Sequence, residues 1–88
     1  MKIQVLGMGC PKCNKTAEIM QEAAIRLGLR EGSDFTLEKV EKIGDIMKFG
    51  VTITPGVAID GKLLVSGKVP SIGEATTYIT NKLSEEAL

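Results

Sequence analysis

The 88-residue sequence has no histidine and no tryptophan, and only one tyrosine and two phenylalanines. Lacking histidine, it has no Ser-His-Asp or Cys-His catalytic device, no mixed cysteine-histidine zinc site and no imidazole pH switch. It also lacks a charge of one sign, because eleven basic side chains balance eleven acidic ones. That balance removes the electrostatic footprint of a nucleic-acid binder, so no nucleic-acid partner is expected. Apolar runs are only a few residues long, far short of the roughly 20 that a membrane-spanning helix requires, so no membrane association is expected either. Residues Met1 to Met8 do not combine a basic leader with an extended apolar run and a small-residue cleavage site, and a cytoplasmic protein is expected. The length leaves room for one core, which predicts a single domain over residues 1–88, acting as a monomer.

Against these absences stand two cysteines, Cys10 and Cys13, three positions apart. Roughly 2% of random placements of two residues in a chain of this length have that spacing, so the pair is a signal. A disulfide between them closes a four-residue ring and restricts the unfolded chain very little, so structural stapling is an improbable use.

The hydrophobic pattern alternates between two periods. Ile3, Val5 and Leu6 form a short strand with apolar residues on both faces, which ends at Gly7-Met8-Gly9. From Pro11 to Leu27 the apolar spacing becomes helical, with Cys13, Ala17, Met20, Ala24 and Leu27 on one stripe and Thr16, Ile19 and Ala23 beside it. Pro11 suits a first turn, Glu22 and Arg26 pair one turn apart, and Gly28 suits a C-cap. Phe35 to Val40 alternates as a second strand, parallel to the first by the right-handed crossover rule. Ile43, Ile46, Met47 and Phe49 mark a short helix stopped by Gly50. Val57-Ala58-Ile59, Asp60-Gly61 and Leu63-Leu64-Val65 read as a hairpin, since Asp-Gly supplies the positive φ angles of a tight turn. Ser71 and Glu74 form a capping box for a last helix over about 72–85. The fold class is therefore α/β, ordered β-α-β-α-β-β-α, with a mixed four-stranded sheet flanked by three helices.

The cysteines fall at a helix start, and that position has a chemical consequence for each. Cys10 lies at the positive end of the helix dipole, near amides without intrahelical partners that stabilise a thiolate. Lys12 and Lys15 add positive charge within a turn, and both effects lower a thiol pKa from about 8.5. Cys10 is then the attacking nucleophile. Cys13 opens the inward stripe, and it resolves the mixed disulfide, leaving an internal Cys10-Cys13 disulfide. No acidic side chain is assigned as the base for Cys13, because Asp60 falls in a turn and the others point outward. Two thiolates also suit Cu(I), and two chains pooling four suit zinc, so metal carriage stays open as an alternative. The four methionines are expected as core or gap filler, with Met8, beside the motif, also a candidate for lining a substrate groove.

Val5-Leu6-Gly7-Met8-Gly9-Cys10-Pro11-Lys12-Cys13, with Thr54-Pro55 before the hairpin and Gly67 after it, resembles the thioredoxin superfamily, and in particular the small glutaredoxin-like redox-active disulfide proteins. The resemblance extends over nearly the whole chain, including Phe49-Gly50-Val51. It implies a thioredoxin-like fold and a thiol-disulfide oxidoreductase whose catalytic residues are Cys10 and Cys13. Substrate-binding roles are implied for Thr54, Pro55, Lys12 and Met8, with Pro55 in the cis form against the cysteine pair. It implies no cofactor beyond the redox-active disulfide, and as partners protein disulfide substrates and a reductase. Gly9 stands where thioredoxins carry tryptophan. Ser66-Gly67-Lys68-Val69-Pro70-Ser71 departs from the glutathione-binding segment of glutaredoxins, so glutathione is not implied. Val5-x-Gly7-Met8-x-Cys10-x-x-Cys13 also resembles the heavy-metal-associated domain of copper chaperones, a Cu(I) carrier. That domain ends in a strand, whereas this sequence predicts a terminal helix.

Overall fold

The computed structural model describes residues 1–9, 11–51 and 53–87. The elements run β1 (Lys2–Leu6), α1 (Pro11–Arg26), β2 (Thr36–Val40), α2 (Ile43–Lys48), β3 (Gly56–Ile59), β4 (Lys62–Ser66) and α3 (Ile72–Ala87). This is the predicted order, and it agrees with the architecture that the resemblance implies.

The four strands form one sheet in the order β2-β1-β3-β4. β1 runs parallel to β2 with Leu6 opposite Val40, and antiparallel to β3 with Leu6 opposite Gly56. Because β1 is central, both of its faces must be covered, which explains its apolar run. Ile3 and Val5 join Ala17, Met20, Ala24, Val57, Ile59, Ala75 and Ile79 in one core under α1 and α3. On the opposite face, Leu6 packs with Val40, Ile46, Val51 and Ala58 in a smaller core under α2. Gln4 is also buried in the sheet, and its side-chain oxygen accepts from the Gly61 amide at 2.9 Å, so no polar group is stranded there.

The local signals act as their chemistry dictates. Asp60 at φ +50° and Gly61 at φ +87° close the hairpin as a type I′ turn. Asp60 further accepts from the Lys2 amide at 2.8 Å, tying the turn to the start of β1. At the end of α1, Leu29 N–H donates to Ala24 O and Gly28 N–H donates to Ile25 O, the double bond of a Schellman cap. α3 opens on a reciprocal capping box, in which the Glu74 amide donates to Ser71 Oγ and the Ser71 amide donates to Glu74 Oε1, each at 3.1 Å.

Three side chains depart from the sequence pattern. Leu27 falls just past the end of α1 and is exposed, because the Schellman turn swings the chain away from the sheet before the stripe is complete. Met8 and Met47, expected as core or filler, are each 67% exposed, and only Met20 of the methionines is fully enclosed. No helix of the described residues is long and apolar enough to cross a membrane.

Candidate functional site

Three chain segments meet at one end of the sheet. The register that puts Leu6 opposite both Val40 and Gly56 brings together the segment after β1, the segment after β2 and the segment before β3. The parallel pairing continues one residue further, with Gly7 N–H donating to Val40 O at 3.0 Å. The segment from Gly7 toward α1, the residues after Val40 and the Thr54-Pro55 turn therefore surround one small volume.

Cys13 lies in the first turn of α1 and is 4% exposed. Its Sγ occupies the space that a side chain on Gly7 would fill: a Cβ built on Gly7 would overlap Cys13 Sγ, and would lie 3.1 Å from Cys13 Cβ and 3.8 Å from Thr54 Cβ. Gly7 is thus the residue that lets the thiol lie against the end of β1 and close to Thr54. The next turn of the helix is fixed by Thr16, which is fully buried and donates its hydroxyl to Lys12 O at 2.8 Å. Cys10 lies outside the described residues.

Thr54-Pro55 is a cis peptide, with Thr54 exposed and Pro55 buried. Gly67 N–H donates to Pro55 O at 2.8 Å, joining the residue after the hairpin to the turn before it. Thr54 and Cys13 are brought together around Gly7, and Met8 reaches the same neighbourhood from the loop. Lys12 is on the outer side of the first turn, exposed, and contributes to the local structure through its backbone carbonyl.

Two features near the sulfur include residues that the sequence did not single out: Lys39 and Glu41 in one, Ile43 and Met47 in the other. A narrow cleft of about 10 Å³ is lined by Cys13, Gly7, Gly9, Asn14, Lys39 and Glu41. Lys39 Nζ donates to Asn14 Oδ1 at 3.3 Å, linking the end of β2 to α1. The legible signal was the parallel crossover, which puts residues at the end of β2 beside the loop after β1. The second feature is an apolar pocket of about 370 Å³ lined by Met8, Ile43, Ile46, Met47, Val51 and Thr54. A polar hollow of about 220 Å³ at the far end of β1, lined by Met1, Lys2, Asp34 and Asp60 among others, has no sulfur nearby. Among the described residues no group of three or more histidine, cysteine or acidic side chains is placed to hold a metal.

The family model described as Thioredoxin domain matches residues 1–80. A thioredoxin of Methanocaldococcus jannaschii is 40% identical over 72 residues, covering 82% of this chain and 78% of the relative. A thioredoxin of Methanothermobacter thermautotrophicus is 38% identical over 71 residues, covering 81% of this chain and 87% of the relative. By sequence, fold and the setting of Cys13, the chain belongs to the thioredoxin family of thiol-disulfide oxidoreductases.

Proposed function

We propose that this chain reduces or exchanges protein disulfides through a Cys10-Cys13 dithiol/disulfide couple, as a cytoplasmic monomer of one domain. The observation that carries the proposal is Cys13, buried in the first turn of α1 against Gly7 and beside Thr54, with the second cysteine of the sequence three residues before it.

The Cys10 thiolate attacks one sulfur of a substrate disulfide, and the other substrate sulfur leaves as a thiolate. Cys13, once deprotonated, attacks Cys10 Sγ and displaces the first substrate sulfur. Two electrons pass to the substrate, whose two sulfurs take up protons, and the chain retains the Cys10-Cys13 disulfide. A dithiol reductant, which is the role of the reductase partner, must return two electrons and two protons for the next turnover. Electrostatics at the start of α1 support Cys10 as the attacking group, since the helix dipole and the first-turn amides favour a thiolate there. In this reading Thr54, Pro55 and Met8 receive the substrate and Lys12 adds positive charge, roles that the closeness of Thr54 to Gly7 and Cys13 supports. The chemistry needs no cofactor beyond the two sulfurs.

The test combines thiol titration with turnover. In wild type, one thiol is expected to titrate well below about 8.5, and a disulfide-bonded protein should be reduced with dithiothreitol as electron donor. Cys10→Ser should abolish that reduction, and Cys13→Ser should halt at a stoichiometric mixed disulfide. Two thiols titrating at the free value, in a pair that a dithiol buffer cannot oxidise, would overturn the proposal. Stoichiometric Cu(I) binding lost in both serine variants, without exchange activity, would favour metal carriage instead.

A further inference from the structure

The cations of this chain fall into two groups. Lys48 lies 3.8 Å from Asp45 and Lys68 lies 2.7 Å from Glu74, so each is neutralised in place. Lys12, Lys15, Lys39 and Lys42 are all exposed, and among the described residues none of them forms an ion pair. Lys39 Nζ instead donates to the neutral Asn14 Oδ1 at 3.3 Å, which fixes it beside the first turn of α1, where Lys12 and Lys15 stand. Lys42 occupies the N-cap position of α2, two residues past Val40, whose carbonyl receives the Gly7 amide. The unpaired lysines therefore approach the segment between Gly7 and α1 from three sides: from α1 itself, from the end of β2 and from the start of α2.

We propose that these lysines form an electrostatic docking surface for a protein substrate that carries aspartate or glutamate beside the disulfide that Cys10 attacks. The proposal rests on the exchange reading above and names the substrate class. Placement argues for it first. The same end of the sheet receives the starts of α1 and α3, since α3 follows β4, whose Ser66 pairs with Gly56, itself opposite Leu6. Both positive dipole ends add to the lysines. Against them stands Glu41, whose Oε2 lies 3.7 Å from the position of a Cβ on Gly9, and one carboxylate does not offset the group.

The kinetics of exchange argue for it next. A substrate must arrive often and leave after every turnover, so it benefits from fast encounter and not from a long-lived complex. Exposed charges act in that way: each pair adds little to affinity, whereas a group of one sign raises the encounter rate with a partner of the other. Lysine suits this use, because its ammonium is a flexible point charge and not the rigid fork with which arginine fixes a carboxylate. A nucleic acid fits the surface less well. None of the large exposed apolar side chains of the described residues is aromatic, and a single strand binds by stacking its bases on aromatic rings.

The experiment uses two disulfide-linked peptides that differ only in aspartate or serine at the positions flanking the cysteine, with each rate divided by that peptide's rate of reduction by dithiothreitol. The division removes the effect of the flanking residues on the disulfide itself. Wild type should reduce the aspartate peptide about tenfold faster in kcat/KM at about 20 mM salt, the low end of electrostatic steering. At about 0.5 M salt, where exposed charges are screened within a few ångströms, that ratio should be about twofold or less. Lys12→Gln/Lys15→Gln/Lys42→Gln should bring the low-salt ratio to about twofold or less, and the ratio cancels any common change in the reactivity of Cys10. Arg30→Gln/Lys62→Gln, which removes two exposed cations from the opposite end of the sheet, should leave the ratio at its wild-type value. A wild-type ratio near one, a ratio that salt does not change, or an equal fall in both variants overturns the proposal. A second measurement is independent of redox chemistry. The aspartate peptide, with serine replacing its cysteine, is titrated at low salt into protein labelled at the backbone amides. The amides of Lys12, Lys15, Lys39 and Lys42 should shift, and absence of shifts overturns the proposal. If these amides shift while neither peptide is reduced, the exchange reading fails and the docking surface stands. A single-stranded oligonucleotide that displaces the peptide and binds more tightly would assign the lysines to nucleic acid and overturn it.

Discussion

Replacing Gly7 with alanine probes the contact on which the geometry of the site depends. The backbone of Gly7 is not in the left-handed region, so alanine is conformationally allowed there and, by restricting the unfolded chain, would by itself stabilise by about 0.4 to 1 kcal/mol. The added Cβ, however, overlaps Cys13 Sγ and lies 3.1 Å from Cys13 Cβ. Cys13 is 4% exposed on a helix packed against the sheet, so it cannot swing freely aside. Overpacking of this kind costs about 1 to 3 kcal/mol, and subtracting the backbone gain leaves a net loss of up to about 2.6 kcal/mol, about 1.3 kcal/mol at mid-range. For a domain of this size that lowers Tm by roughly 5 to 15 °C. The assay is urea unfolding of the reduced protein in a double-mutant cycle with Cys13→Ala. That change removes Sγ but keeps Cβ, so it should relieve about 1 kcal/mol of the Gly7→Ala cost and no more, a coupling well outside additivity. Cys13→Ser, which keeps an atom at the γ position, should relieve much less. If Gly7→Ala is within about 0.5 kcal/mol of wild type and additive with Cys13→Ala, the packing argument is refuted.

Gly61→Ala isolates the opposite effect: a Cβ there meets nothing within 4 Å, but the residue is at φ +87°, so a loss of about 1 to 2 kcal/mol in urea unfolding is expected from backbone conformation alone. Ser71→Ala should cost about 0.5 to 2 kcal/mol by removing the acceptor for the Glu74 amide. The Lys68 ammonium, with help from the Ser71 amide, holds the Glu74 carboxyl below its ordinary 4.5, so its stabilisation is present above that value and is lost as pH falls through the lowered one. Glu74→Gln should therefore flatten the acid side of the stability curve, and added salt should shrink the difference because the pair is exposed. Met20→Ala should cost about 2 to 5 kcal/mol, since Met20 is fully enclosed between α1 and the sheet, whereas exposed Met47→Ala should stay within about 0.5 kcal/mol.

Much of this molecule is fixed by local chemistry. Asp60-Gly61 closes the hairpin, Ser71 and Glu74 start the last helix and Gly28 ends the first, because each rests on backbone angles or hydrogen bonds within a few residues. The double-faced apolar run of β1 likewise announced a central strand with a core on each side. The Cys10-Cys13 spacing pointed to thiol-disulfide chemistry in general, in agreement with the family to which the chain belongs.

The tertiary structure decided what distant segments do to one another. That Gly7 gives up its side chain to Cys13, and that Thr54 approaches the same point, follows from strand register between segments over 40 residues apart. The cis form of Thr54-Pro55 was implied by resemblance alone, because the residues of that dipeptide do not distinguish the two isomers. Lys39 and Glu41 came to the cleft beside Cys13 through the parallel pairing of β1 with β2. Ile43 and Met47 carry the same apolar signal as Ile46, yet a helix of six residues lying across the sheet buries only Ile46. Periodicity determined which residues are apolar together; whether they face the core or solvent was decided by how much of a short helix the sheet can cover.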